Sequence, residues 1–525
     1  MRFLSDADLA TLHAADESTT PLPLPTQMIS NGEYTPLPQT AAQRQVEARV
    51  ENYASTLAPR HGMTRREFLA SNAGLAAAFM AMNEVFGSVF MTSRAEAATP
   101  GHADDRTQSL SSQFIVDCQT HFVRDDYSQP MLIMAARFAK EHWNPALADV
   151  DGLTRFKFQN FVKEIFLDSD TKIALISGTP TDEAELMFLS NDQIAAARDI
   201  INRLAGTRRA MGHGIVTPGA PGWLDEVDRV LEKLKPQSLK GYTIGDPLYQ
   251  SKKKSNWRLD DERNVYPLYE KMLKAGVTTL CIHKGLMPAD YRTSWPDLWQ
   301  YATVWDVGKA ARDWPQINFV IYHSAMRPFI ELPDRELAQF EATGRFDWVS
   351  ELADIPGKYG VRNVFGELGT CFANTCVTHP RLAAAMVGTL VKGLGADKVV
   401  WGTDSVWYGS PQWQIEAMRR LEIPEDMQKK HGFKPLGAAD GAVKSAIFAG
   451  NAARHYKLDA KTAQGALDAD AISAMQNARP KNMTVMTTLA TNSDQKPYSS
   501  PKFQPKKSPE MTAPTPSAHR CNARA

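Results

Sequence analysis

The chain has few cysteines, no excess charge of either sign and no uncharged run long enough to span a membrane. Only five of its 525 residues are cysteine, and their spacing is not that of a structural zinc site. Lys and Arg together number 59, as do Asp and Glu, so the formal net charge is zero and no nucleic-acid partner is indicated. The uncharged stretch from Phe68 to Asn83 is shorter than the roughly 20 residues that a transmembrane helix needs.

What the chain does contain is typical of a soluble globular protein, with 43% hydrophobic and 22% charged residues. Cys118 and Cys281 lie within apolar, strand-like runs and are expected to be small core residues. Cys371 and Cys376 are close in sequence, but a disulfide also requires a suitable Cα separation. The sequence leaves that disulfide open.

Residues 64–98 have the order of features of an export signal. Thr64-Arg65-Arg66-Glu67-Phe68-Leu69 precedes the uncharged stretch, and Ala95-Glu96-Ala97 has the small-x-small pattern of a cleavage site. The motif resembles the bacterial twin-arginine (Tat) signal. The resemblance implies that residues 63–97 are a signal segment and that the Tat export machinery is a partner. It also implies a periplasmic or otherwise extracytoplasmic protein, membrane-anchored if the signal is uncleaved.

The segments around this signal are predicted to lack a fold of their own. Residues 1–62 are predicted to be an extended or disordered leader unless translation begins at Met63, and the polar residues 98–112 are predicted to be a linker. The alternative to an export signal is an ordinary amphipathic helix that happens to contain Arg65-Arg66.

From residue 113 onward, short apolar runs alternate with longer amphipathic stretches, which is typical of repeated β-then-α units. Eight strands are predicted, over Phe114–Cys118, Lys172–Ser177, Ala210–Val216, Leu239–Ile244, Thr278–Ile282, Asn318–Tyr322, Asn363–Gly366 and Lys398–Gly402. They predict an α/β fold, a (β/α)8 TIM barrel over residues 113–458. A doubly wound sheet is the competing fold, but no Gly-rich phosphate loop follows the first strand. Residues 459–525 are predicted to be a disordered tail.

Polar side chains with metal-ligand chemistry lie at the carboxyl ends of the predicted strands, where a barrel enzyme places its active site. They are Gln119, His121, His283, His323, Glu367 and Asp404. Taken singly, each histidine could be a hydrogen-bonded structural residue, and Asp404 could cap a helix. Together they predict one site, in which a divalent ion would activate water and polarise a substrate carbonyl.

The order of four motifs resembles the amidohydrolase superfamily, and its amidohydrolase-related (family 2) branch, which includes aminocarboxymuconate semialdehyde decarboxylase. The motifs are Val116-Asp117-Cys118-Gln119-Thr120-His121, Ile282-His283-Lys284-Gly285, Tyr322-His323-Ser324 and Trp401-Gly402-Thr403-Asp404. The resemblance implies a metal held by His121, His283 and Asp404, with His323 exchanging a proton beside it. It also implies that Asp404 receives the proton of a metal-bound water.

Gln119 departs from the His-x-His motif of that family. An amide oxygen is a poorer ligand than imidazole. One outcome is a single divalent ion, zinc before manganese, with Gln119 beside His121, His283 and Asp404. The other is a site that has lost its metal.

The expected function is a metal-dependent hydrolase acting on a small carboxylated or cyclic substrate. The alternatives are a non-oxidative decarboxylase using the same residues, a metal-free lactonase, and a non-catalytic binding barrel. A homo-oligomer is compatible with the sequence. Residues that only weakly suggest substrate contacts are Arg124, Lys240, Tyr242, Arg327, Glu367 and Trp407.

Overall fold

The computed structural model describes residues 22–26, 39–127, 153–181, 184–245, 255–287, 291–327 and 333–478. Its centre is one parallel sheet of eight strands, hydrogen-bonded in the order β1 to β8. The strands are β1 (Val116–Thr120), β2 (Ile173–Ile176), β3 (Ala210–Ile215), β4 (Ser238–Tyr242), β5 (Thr279–His283), β6 (Asn318–Tyr322), β7 (Val364–Glu367) and β8 (Val399–Val400). Each predicted strand overlaps an observed one, and the predicted TIM barrel is confirmed.

The segment after β8 closes the barrel against β1. The N–H of Cys118 donates to the carbonyl of Trp401 (3.0 Å), and the N–H of Asp404 donates to the carbonyl of Gln119 (2.9 Å). Thr120 and Ser405 form a parallel bridge. This closure places the ends of the first and the last strand side by side.

In the described part of the chain, five helices precede the barrel. They are α1 (Ala41–Leu57), α2 (Arg65–Leu69), α3 (Asn72–Phe86), α4 (Arg94–Ala98) and α5 (His102–Leu110). The prediction of an unstructured leader is therefore wrong for residues 41–57, and that of a linker is wrong for residues 102–110. Thr40 and Thr64 explain two of the helix starts, because each forms a capping box with the residue three positions later.

Sixteen further helices follow β1 within the ranges that the structure describes. They are α6 (Phe158–Val162), α7 (Asn191–Ala205), α8 (Trp223–Arg229), α9 (Tyr266–Lys274), α10 (Tyr291–Ser294), α11 (Val307–Asp313), α12 (Pro333–Thr343), α13 (Val349–Tyr359), α14 (Cys371–Cys376), α15 (Pro380–Gly393), α16 (Gln412–Arg420), α17 (Glu425–His431), α18 (Ala442–Ser445), α19 (Asn451–His455), α20 (Ala460–Asp468) and α21 (Ala471–Asn477). Short 3-10 or π turns lie at Ala58–His61, Thr154–Phe156, Lys163–Leu167, Ala184–Leu186, Val230–Leu234, Trp299–Ala302, His323–Ala325, Ala396–Lys398 and Ala446–Gly450. Among the described residues, no helix is long and apolar enough to cross a membrane.

Helices α20 and α21 correct the prediction of a disordered tail from residue 459. Arg209, which directly precedes β3, is fully buried and ion-pairs with Asp470 between the two helices (2.6 Å). The same guanidinium donates to the carbonyl of Leu467 and to the hydroxyl of Ser473. Such a buried pair is retained only where additional hydrogen bonds compensate its desolvation. Residues 479–525 lie outside the described part of the chain.

Two apolar layers make up the core. Inside the barrel, strand residues such as Val116, Cys118 and Val320 pack together with Ala452 and Tyr456. A larger cluster lies between the strands and the surrounding helices. Cys371 and Cys376 are buried free thiols at the two ends of α14, so this structure contains no disulfide between them.

Candidate active site

The carboxyl ends of the strands carry a group of non-glycine residues with positive φ. His323, Ser324 and Ala325 follow β6 with φ of 58°, 46° and 53°. Thr370 has φ 54° and Asp404 has φ 59°. A side chain in this region is uncommon and costs free energy, so such residues concentrate where function fixes the backbone.

Asp404 accepts hydrogen bonds on both of its carboxylate oxygens. Its Oδ1 lies 3.1 Å from His121 Nε2 and accepts from Gln119 Nε2 at 2.9 Å. Its Oδ2 accepts from the hydroxyl of Thr370. Burial opposes ionisation, but the hydrogen bonds from His121 and Thr370 and the charges of His121 and His323 lower the pKa of Asp404 to about 2. The structure therefore brings two predicted site residues, Gln119 and His121, to the ionised carboxylate of a third, Asp404.

Thr370 and Tyr408 also belong to this cluster, and the sequence did not predict that they hydrogen-bond in the site. Thr370 Oγ1 lies 3.0 Å from the hydroxyl of Tyr408, so a chain of hydrogen bonds runs from Tyr408 through Thr370 to Asp404. Thr370 follows Glu367 by three residues, and nothing in its local sequence marks it. Only the turn after β7 orients it toward Asp404.

A second cluster contains His283 and Lys240. The His283 ring stacks on Tyr242 with centroids 4.3 Å apart and meets the His323 ring edge-on at 4.6 Å. The ammonium of Lys240 lies 3.6 Å from the centroid of the Tyr322 ring. Burial, followed by the charge of Lys240, lowers the pKa of His283 well below its usual value, so His283 is neutral at pH 7.

Glu367 supports His323 through the backbone. Its carboxylate accepts from the N–H groups of His323 (3.1 Å) and Gly369 (2.6 Å). Burial outweighs these two hydrogen bonds and raises the pKa of Glu367 to about 8. His323 Nδ1 lies 2.9 Å from the carbonyl of Gly369. Since a carbonyl only accepts, Nδ1 carries a proton, and Nε2 is the nitrogen left for proton exchange or metal ligation.

An aromatic wall, formed by Phe156, Phe188 and Trp407, lies against His121. Trp407 stacks on the His121 ring at 5.7 Å and contacts Phe156 and Phe188 with centroids 5.2 and 5.1 Å apart. Tyr127 extends the contact through Phe188. Aromatic faces of this kind suit a flat apolar ligand. Phe156 and Phe188 were not predicted, because they come from loops that the sequence pattern does not align with the strand ends.

The two predicted arginine clamps are engaged by their own neighbours. Arg124 ion-pairs with Asp126 (2.9 Å) and donates to backbone carbonyls, including that of Glu185. Arg327 ion-pairs with Glu336 and Asp347. Either residue would have to exchange these contacts for a substrate carboxylate.

The donor chemistry at Asp404 fits a divalent ion, although His121 and Asp404 are the only two donors in place among the residues that the structure describes. Metal ligands must be deprotonated, as the carboxylate of Asp404 and the imidazole of His283 are. The 3.1 Å between His121 Nε2 and Asp404 Oδ1 is a separation that two ligands of one ion can have. Within the described ranges, no three His, Cys, Asp or Glu side chains are grouped closely enough to hold an ion. A metal would therefore have to draw in His283, and the Gln119 amide would have to turn to offer its oxygen.

Similar solved structures include an uncharacterised TIM-barrel protein from Bordetella bronchiseptica, 14% identical with a TM-score of 0.41, covering 66% of this chain and 98% of that one. A 5-carboxyvanillate decarboxylase from Sphingomonas paucimobilis is 17% identical with a TM-score of 0.35, covering 66% and 99%. The corresponding enzyme from Novosphingobium aromaticivorans, with bound manganese, is 14% identical with a TM-score of 0.40, covering 66% and 98%.

No curated protein matches the chain. The family model described as amidohydrolase matches residues 116–458, which is well over half of the chain and spans β1 to β8. Its range contains every residue of the site described above. The chain belongs to the amidohydrolase family.

Proposed function

We propose that the chain is a non-oxidative decarboxylase of small, flat carboxylic acids. The observation that carries this proposal is that both oxygens of Asp404 accept hydrogen bonds, Oδ1 from Gln119 Nε2 and Oδ2 from the hydroxyl of Thr370. A general base must have an oxygen within hydrogen-bond reach of the proton that it abstracts, and here both oxygens are engaged by protein donors. Asp404 is therefore a weak base for activating water, which is the step that a hydrolase needs.

His323 is better suited to move a proton. Its Nδ1 is fixed by the carbonyl of Gly369, so the ring is oriented and Nε2 is the exchanging atom. In the proposed reaction the bond between the substrate carbon and its carboxylate breaks and CO2 leaves. The electron pair stays on carbon and takes a proton from the imidazolium form of His323.

Burial and the aromatic wall support the same reaction. His121, His283, His323 and Asp404 are each at most 2% exposed. The substrate carboxylate loses its charge when it leaves as neutral CO2. A site that excludes water destabilises the charged carboxylate relative to CO2 and therefore favours decarboxylation. The wall around Trp407 would hold a planar ring next to these groups.

A divalent ion is part of the proposal as a bound cofactor, with zinc or manganese as candidates. His121, Asp404 and His283 would hold it, and it would polarise a substrate oxygen. Gln119, which donates to Asp404 in this structure, would compete with the ion for the same oxygen.

Hydrolysis of an amide, ester or lactone by the same residues is the second candidate. It is favoured by the pairing of an ionised Asp404 with His121 at 3.1 Å, because such a pair can also orient a water molecule. The two reactions differ in where solvent atoms enter the product.

Isotope labelling distinguishes them. The full chain, supplied with zinc or manganese, is incubated with hydroxybenzoic acids and with lactones in D2O and in 18O-water. A decarboxylase releases CO2 and places deuterium on the carbon that lost it, whereas a hydrolase places 18O in a new carboxyl group. We expect deuterium on the carbon that lost CO2 and no 18O in a new carboxyl group.

His323→Gln should lower kcat by about 10²- to 10⁴-fold. His102→Gln, at an exposed position at the start of α5, is the matched control and should leave kcat unchanged. Incorporation of 18O without CO2 release would support the hydrolase instead. Full activity of His323→Gln would refute the role given to His323.

A further inference from the structure

The uncharged stretch after the arginine pair is folded into the core. It forms most of α3, in which Ala76, Ala77, Phe79, Ala81 and Met82 are fully buried. These residues belong to the same apolar cluster as the buried apolar residues of α16, the helix that follows β8. The apolar part of an export signal would instead have to be available to the membrane.

A backbone seam joins the segment after α3 to the residues that follow α16. Phe90 forms an antiparallel bridge with Leu421. The N–H of Met91 donates to the carbonyl of Arg420 (2.7 Å), and the N–H of Glu422 donates to the carbonyl of Val89 (2.8 Å). The signal-like segment is thus paired with the barrel as a short strand would be.

An ionic cluster, formed by Glu96, Arg106, Glu416 and Arg420, lies beside this seam. Arg420 pairs with both oxygens of Glu96 and lies 5.2 Å from the centroid of the Phe79 ring. Arg106 pairs with Glu416 at 2.8 Å. The Arg420 and Glu416 side chains are only 2% and 3% exposed, and loss of residues 1–97 would remove the bidentate partner Glu96, so that Arg420 would keep only Glu416, 3.4 Å from its Nε, among its ion-pair partners in this cluster. Removing one partner from a buried ion cluster is destabilising.

The predicted cleavage site is itself protected. Ala95, Glu96 and Ala97 lie within α4, Ala97 is fully buried, and its carbonyl lies 2.9 Å from His61 Nε2. Proteolysis concentrates at exposed, poorly ordered segments, and this bond is in a helix with its carbonyl engaged.

We infer that residues 64–98 are a permanent part of the folded protein and that the bond after Ala97 is not a processing site. The segment packs against α16 in whichever cellular compartment the protein resides. Arg65 and Arg66 stay exposed on α2, so the Arg pair can be presented while the apolar stretch behind it remains buried. This inference does not depend on the reaction that the barrel catalyses.

A double-mutant cycle on the full chain tests the docking. Glu96→Gln, Arg420→Gln and the double variant are compared with the unaltered chain by thermal unfolding. If the segment is docked in solution, each single change lowers Tm by several degrees, and the double variant falls by less than the sum. Glu425→Gln is the matched control, since Glu425 pairs with Lys429 on an exposed face and should leave Tm unchanged.

The intact mass of the full chain, expressed in a bacterium with Tat export and signal peptidase, tests retention. We expect a species that still contains residues 64–98. A folded species that begins at Ala98 would overturn the inference, as would a Glu96→Gln variant whose Tm equals that of the unaltered chain.

Discussion

Replacement of Asp117 by asparagine should change how the stability of the protein depends on pH. Asp117 lies fully buried in β1, where Oδ1 accepts from the N–H groups of Gln119 and Thr403, both at 3.1 Å. Oδ2 accepts from the hydroxyl of Thr403. Burial outweighs these hydrogen bonds and raises the pKa of Asp117 from 3.8 to about 7. In Asp117→Asn the amide oxygen keeps both N–H bonds, and the amide nitrogen donates to the Thr403 hydroxyl.

The sign and size of the effect follow from the pKa. Because the folded-state pKa lies above the unfolded value, the stabilisation by protonated Asp117 is complete below pH 3.8 and is lost as the pH rises through 7. The difference between the folded-state and unfolded-state pKa values corresponds to about 4 kcal/mol of stability in total. Of this stabilisation, roughly 1.4 kcal/mol is lost between about pH 6 and about pH 9.

Urea unfolding at the two ends of that range provides the assay. The unaltered chain should lose roughly 1.4 kcal/mol more free energy of unfolding than Asp117→Asn across the interval. Other titrating groups, including Glu367, are present in both proteins and cancel in the comparison. Equal losses in the two proteins would show that Asp117 is already ionised at pH 6, and the reasoning from burial would be wrong.

Two further substitutions test the site and the fold. Gly402→Ala would place a Cβ on Glu367 Oε1, so we expect about a 10²-fold loss of kcat with an unchanged circular dichroism spectrum. Gly357→Ala, which meets nothing within 4 Å, is the control, and equal activity of the two variants would contradict the close approach. Arg209→Leu leaves Asp470 buried without its partner and should lower the free energy of unfolding by about 3–5 kcal/mol in urea. A loss below about 1 kcal/mol would mean that α20 and α21 are not anchored there.

The strands could be predicted because their signal is local. Short apolar runs between amphipathic stretches are visible within a few residues, so every predicted strand overlaps an observed one. His121, His283, His323 and Asp404 were then predicted as site residues from their positions at the strand ends, and all four are buried in the structure. Their roles as ligands and proton carriers stay predictions.

The terminal segments were misjudged because their partners are distant in sequence. Asp470 follows a polar stretch without apolar periodicity, and only the contact with Arg209, more than 250 residues earlier, reveals its structural role. Phe79 lies in a run that by itself fits an export signal, yet it packs beside Arg420. A local pattern carries no information about which distant surface will cover it.

The sequence by itself determined the barrel, its strand order and the residue types at the strand ends, because periodicity and motif order are properties of neighbouring residues. Only the tertiary structure decided what those residues do to one another. Gln119 and Asp404 are 285 positions apart, and they meet because the segment after β8 closes onto β1. The pairing of β1 with β2 shifts register between Asp117 and Thr120, which changes the alternation of side chains next to Gln119. No local sequence pattern predicts this shift. The low pKa of Asp404 and the high pKa of Glu367 likewise come from burial and from hydrogen bonds made across the closed barrel.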